Sequence, residues 1–283
     1  MARTGQIRKL SAAVAGILIA GLVAVGSEEA AAPSPAQPPA IPVPAPLSAE
    51  CQSGSTEIVS ESPLPNVAAG LQKRRTIRIL AIGSSGGRRK GGYTHQIERI
   101  LKQVLKGASV VIINRGVSGE LAANAALRIK NEVAITSPDL VIWQVGTNDA
   151  LAFVSLEELA DSVRSTIRWL KEHNVDVVLA GLQYVERIAQ DDNYYRVREL
   201  LREIAAKENV MIIRRYEAMQ FIAASQEAGS GPVSDEFERN EAGYNCLAQY
   251  LASAITVGAF GKGLSGRPFR SQDKQPPAPP QGK

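Results

Sequence analysis

Histidine is almost missing from this chain: 283 residues hold two, His95 and His173. Any chemistry that needs an imidazole has only those two residues to draw on. Cysteine is as sparse. Cys51 and Cys246 are the whole complement, too few for a fold built on disulfides alone. Aromatic residues make up 5% of the chain against 45% hydrophobic residues, so the core is aliphatic, and the length allows one sizeable core. An excess of one charge sign is also missing where it would matter. The net charge of +4 divides into +3 on residues 1–26, −5 on residues 27–72 and +4 on residues 262–283, which leaves +2 for residues 73–261. A domain made for nucleic acid concentrates basic charge on its folded surface, and this one does not.

The ends differ from the middle. Arg3, Arg8 and Lys9 precede the uncharged run Leu10–Ser27, which reads as a secretory signal with Ala24-Val25-Gly26 as its cleavage site. An uncleaved membrane anchor is the alternative, because the run nearly reaches spanning length. Either reading exports the chain to the periplasm or beyond. Residues 27–72 form a Pro/Ala-rich linker and lead-in, with seven prolines between Pro33 and Pro46 favouring an extended spacer. The Gly-, Pro-, Gln- and Lys-rich tail, 262–283, has the composition of a disordered segment. In an exported chain the even cysteine count suggests a Cys51–Cys246 disulfide tethering the spacer to the last helix; two unpaired thiols are the alternative.

Between these ends, short β-branched runs alternate with amphipathic stretches. Strands are expected at Ile77–Ile82, Ser109–Asn114, Leu140–Val145, Asp176–Leu182 and Val210–Arg214. Their continuous apolar character suits a parallel sheet buried on both faces. Helical patterns fall at 93–106, 119–135, 155–173, 192–208 and 240–257, the last with Asn240 as N-cap. Five βα units give a three-layer α/β/α sandwich.

Three motifs sit just beyond the first three strands: Gly83-Ser84-Ser85-Gly86, Asn114-Arg-Gly116 and Gly146-Thr-Asn148-Asp149. Ligands of such sheets bind at the strand carboxyl ends. With Asp235-Glu-Phe-Glu238 ahead of Gly243-Tyr244, the series resembles the SGNH/GDSL hydrolases. The resemblance implies a five-stranded flavodoxin-like sheet in the order 2-1-3-4-5. It also implies Ser85 as nucleophile, with the Ser85 and Gly116 backbone N–H groups and the Asn148 amide as oxyanion donors. No metal or other cofactor is implied. The pattern is broken at two blocks. Ser84 replaces the aspartate and Gly86 the leucine of the Gly-Asp-Ser-Leu block, and Glu238 stands where the family has its histidine.

Three readings of Glu238 follow. It serves as the base, tuned by Asp235 beside it; or the base is lost and only residual catalysis survives; or the site binds an acyl or glycan ligand without turnover. His95, early in the first helix, is a weak substitute, and His173 lies at the opposite end of the sheet. The loop Gly86-Gly-Arg88-Arg89-Lys90-Gly-Gly92 lacks a P-loop ending. It is either a solvated loop or a bias toward anionic substrates. The expected activity is hydrolysis of carboxylic or O-acyl esters, small or polysaccharide, with no nucleic-acid partner. A catalytically degenerate binding module of the same fold is the alternative.

Overall fold

The computed structural model describes residues 44–52, 58–60, 62–73, 75–83, 92–105, 107–227 and 241–261. At its centre are β1 (Ile77–Ile82), β2 (Val110–Asn114), β3 (Leu140–Gln144), β4 (Asp176–Ala180) and β5 (Met211–Ile213). All four neighbour pairings are parallel, in the order β2-β1-β3-β4-β5. The sheet is the one expected from the sequence, with the later strands one or two residues shorter at their ends.

The helices are α1 (Pro65–Gln72), α2 (Tyr93–Val104), α3 (Ala122–Thr136), α4 (Thr147–Leu151), α5 (Leu156–Glu172), α6 (Asp192–Lys207), α7 (Arg215–Glu227) and α8 (Glu241–Phe260). Side chains alternate across a strand, so each strand feeds two cores. Ile77, Ile79, Leu140, Ile142, Met211 and Ile213 face α1, α2, α7 and α8. Leu80, Ile82, Val141, Trp143, Leu179 and Ile212 face α3, α5 and α6. Trp143 is fully buried there. The result is a three-layer α/β/α sandwich.

Local chemistry sets several boundaries. Ser155 caps α5 by accepting from the Glu158 N–H at 3.1 Å, and Asp191 caps α6 by accepting from Tyr194 N–H at 2.7 Å. On α5 the buried Leu159, Val163, Ile167 and Leu170 form the apolar face read from the sequence. The short α1 starts with Pro65 and takes its cap from a distant residue: the Asp176 carboxylate accepts from the N–H groups of Asn66 and Val67, each at 2.9 Å.

The packed body reaches upstream of residue 73. Leu64 and Val67 are buried in the first core. Residues 58–60 cover the β5 edge: Ser60 N–H donates to Ile212 O at 3.1 Å and Arg214 N–H to Ile58 O at 2.7 Å. Cys51 and Cys246 form a disulfide between the Ala49–Cys51 3₁₀ turn and α8. Around it, Ser48 N–H donates to Gln249 Oε1 at 2.7 Å, and the Tyr250 hydroxyl donates to Cys51 O. The signal or anchor, most of the Pro-rich spacer, the tail and the Asn240 cap lie outside the described residues. Among the described residues no helix is long and apolar enough to cross a membrane.

Candidate active site

A cavity of about 130 Å³ opens at the carboxyl ends of the strands. Residues following every strand contribute to it: Gly83 after β1, Ser118–Ala122 after β2, Gln144–Asp149 at the end of β3, Gln183 after β4 and Arg215 after β5. It therefore lies where open α/β sheets bind ligands.

Two glycines let the backbone make these turns. Gly83 has φ +130°, and a Cβ there would stand 2.5 Å from Gln144 Cβ and 2.9 Å from the Gln144 carbonyl oxygen. Gly146 has φ +101°, and a Cβ would stand 2.6 Å from Leu182 Cδ1 and 2.8 Å from Leu201 Cδ1. Only glycine combines that backbone with that clearance.

Gly146 starts α4, which carries Asn148 into the cavity wall. The Asn148 amide donates to Glu120 O at 3.0 Å. A primary amide has a second N–H, and no other described residue takes it. Glu120 is itself fixed, since Arg128 donates to both its carboxylate oxygens (2.7 and 2.5 Å) and to Arg115 O (2.7 Å). Asp149 is 2% exposed and accepts from Ala122 N–H at 2.8 Å, joining α4 to the start of α3. Burial pushes its carboxyl above the usual range, against the pull of its backbone hydrogen bonds. On the far side, Thr147 Oγ1 accepts from Gln183 N–H at 3.0 Å and the buried Tyr194 hydroxyl donates to Gln183 O at 2.7 Å. Gln183 is thus held at the cavity by both of its peptide groups.

Of the residues singled out in the sequence, Asn148 lines this cavity. Gly116 does not: its N–H donates to Asn114 Oδ1 at 2.9 Å. The wall at that loop is formed three residues later by Gly119, at φ +75°, with open space where a Cβ would stand. No described residue accepts from the Gly119 N–H. Ser84, Ser85, the loop to Gly91, Asp235 and Glu238 lie outside the described residues. His95 is exposed on α2, and His173 is exposed at the end of α5, stacked on Trp169 at 3.9 Å. Among the described residues one group, Glu50, Cys51 and Cys246, has metal-ligand spacing, but its two sulfurs are joined in the disulfide. Sequence reasoning did not find Gln144, Gln183 and Arg215, because their approach to the cavity depends on the strand order. Gly119 had a signal, a Ser-Gly pair just before a helix.

The parallel sheet in the order 2-1-3-4-5, with a cavity at its carboxyl ends, is the flavodoxin-like fold that the SGNH resemblance implies. The chain belongs to the Non-GDSL lipase-like family, whose model matches residues 50–260. That family name agrees with a first block reading Gly83-Ser84-Ser85-Gly86. Solved structures similar to it include the acetyl xylan esterase AlAXEase, at TM-score 0.55 and 20% identity, covering 63% of this chain and 100% of that one. An acetyl xylan esterase variant from Geobacillus stearothermophilus gives TM-score 0.54 and 22% identity over 63% of this chain and 94% of that one. An arylesterase of Vibrio mimicus is 25% identical over 112 residues, 38% of this chain and 54% of that protein. The chain therefore matches about half the length of that curated relative.

Proposed function

We propose that the protein is an exported serine ester hydrolase acting on carboxylic or O-acyl esters, with O-acetylated glycans as the leading substrate class. The observation that carries this reading is the placement of Asn148. Its amide stands at the end of β3, in a cavity whose other walls include Gly83, two residues before Ser85, and Gly119. In this reading Ser85 attacks the ester carbonyl, and the negative charge developing on the carbonyl oxygen is met by the Asn148 amide, the Ser85 N–H and a glycine N–H. For that third donor Gly119 is better supported than Gly116, whose N–H is already bonded to Asn114. Glu238 accepts the serine proton, with Asp235 beside it. Glu238 returns that proton to the alcohol as the carbonyl re-forms and the ester C–O bond breaks, and water then hydrolyses the acyl-enzyme to the free acid and Ser85. The arylesterase and acetyl xylan esterase names of its relatives favour an ester as substrate. The family assignment supports the same reading.

The test is covalent labelling of the full chain with a fluorophosphonate, read by mass spectrometry, alongside aryl acetate turnover. The adduct is expected on Ser85 and is absent from Ser85→Ala. Asn148→Ala lowers kcat roughly 10²–10³-fold, the effect of losing one oxyanion donor. Labelling elsewhere, or turnover indifferent to both substitutions, rules the reading out.

A further inference from the structure

Four described residues other than glycine hold a left-handed backbone: Ser137, Phe153, Asn174 and Asn209, with φ between +45° and +57°. Each follows a helix, where that conformation is common and glycine or asparagine is the usual occupant. Ser137, Asn174 and Asn209 are small polar residues that end α3, α5 and α6. Those helices lead into β3, β4 and β5, so their ends lie at the opposite end of the sheet from the cavity. Phe153 differs in both respects. It closes α4, the helix that starts at the cavity with Gly146 and carries Asn148. Its N–H donates to Ala150 O at 3.2 Å and the Val154 N–H to Asp149 O at 2.9 Å. These are the two bonds of a Schellman turn, with phenylalanine in the place where glycine fits best. A bulky side chain makes that backbone costly. Burial returns little of the cost, because Phe153 is 74% exposed.

We infer that Phe153 is a specificity residue, an aromatic platform on which a sugar ring of an O-acylated glycan stacks. The inference rests on the esterase reading and deepens it by placing the alcohol half of the substrate. A cavity of about 130 Å³ has room for a short acyl group, so the remainder of the ester extends past its rim. Phe153 is tied to the oxyanion donor on that side: Ala152 N–H donates to Asn148 O at 2.9 Å, and Asn193 Nδ2 donates to Ala150 O at 3.0 Å. Five residues of helix put it roughly 7 Å along the axis from Asn148, a span that one or two sugar rings cover. The occupant's chemistry follows from the two surfaces together. Gln144, Asn148 and Gln183 bring amides to the cavity, which suit a ligand rich in hydroxyls. An exposed aromatic ring suits the apolar C–H face of a pyranose. An alkyl chain would use the ring but gain nothing from the amides.

The full chain is assayed with partially O-acetylated oligosaccharides of xylose, of glucose and of N-acetylglucosamine, against ethyl acetate as an ester without a ring. Phe153→Gly is expected to lower kcat/KM for at least one oligosaccharide, relative to ethyl acetate, by at least about tenfold, mainly through KM. Phe153→Trp keeps the ratio. Ile135→Ala, which truncates an exposed side chain in the last turn of α3, keeps it as well. The urea midpoint of Phe153→Gly is expected to equal or exceed that of the natural protein, because glycine relieves the left-handed backbone. A lowered midpoint with an equal loss on ethyl acetate marks a structural role and counts against the inference. Titration of Ser85→Ala with the same oligosaccharides reads recognition without turnover. Binding there that weakens at least about tenfold on adding Phe153→Gly supports the inference even where no ester is hydrolysed. Ester hydrolysis in which neither the ratio nor the binding depends on Phe153 overturns it and leaves the esterase reading intact. A dependence on Phe153 seen with ethyl octanoate and absent with every oligosaccharide also overturns it, and assigns the ring to an acyl chain.

Discussion

At Gly146 a single hydrogen in place of a methyl group decides whether Asn148 reaches the cavity. Alanine there meets both a left-handed φ and two leucine methyls closer than 3 Å. Gly146→Ala is expected to destabilise the fold by about 2–4 kcal/mol, the backbone strain and overpacking combined, with a matching fall in the urea midpoint. Unchanged stability would mean that the β3–α4 turn relaxes freely. Asp176 gives a prediction of a different kind. Burial raises its carboxyl pKa, and the hydrogen bonds from Val67 and Asn66 only partly offset this. With the folded value above the unfolded one, the folded state binds more protons between them, so stability falls as pH rises through that window. Asp176→Asn has nothing to titrate there. The stability of the natural protein relative to this variant should therefore grow as pH falls from 7 toward 4, measured as the difference in Tm. A difference that shrinks on acidification would contradict the direction of the shift.

The five strands and five of the helices are legible in the sequence because their signal is local. Leu159, Val163, Ile167 and Leu170 repeat at helical spacing within one segment, and Leu140–Gln144 is apolar without interruption. The elements that escape such reading depend on distant partners. α1 is capped by Asp176, 110 residues away, and α4 is five residues long and held by Gln183 and Asn193. The same distinction explains the site: Asn148 sits in a readable motif, whereas Gln183 and Arg215 reach the cavity only through the 2-1-3-4-5 strand order. The Cys51–Cys246 bond joins segments 195 residues apart and fastens residues 44–52 to α8. Removing it as Cys51→Ala/Cys246→Ala is expected to cost about 2–4 kcal/mol, since closing a long loop restricts the unfolded chain. Identical urea midpoints for the oxidised protein and the double variant would remove that role.

For the whole molecule, the proposed activity turns on the departure from the family pattern at Glu238. The SGNH architecture is present, while neither histidine lies in the cavity wall: His95 is exposed on α2 and His173 is at the far end of the sheet. Fold alone does not supply a base, and in the proposed reading that role falls to the Glu238 carboxylate. An ordinary glutamate titrates near 4.3 and an imidazole near 6.5. Glu238→His should accordingly move the acid limb of the rate profile upward, toward pH 6–7, and raise the rate near neutrality. The most direct measurement is aryl acetate hydrolysis by the full chain and by Ser85→Ala from pH 4 to 9. The natural protein is expected to exceed the variant by at least about 10³-fold where Glu238 is ionised, the order expected for loss of a nucleophile. A rate no higher than that of Ser85→Ala at every pH would contradict a serine hydrolase and leave a binding module of the same fold.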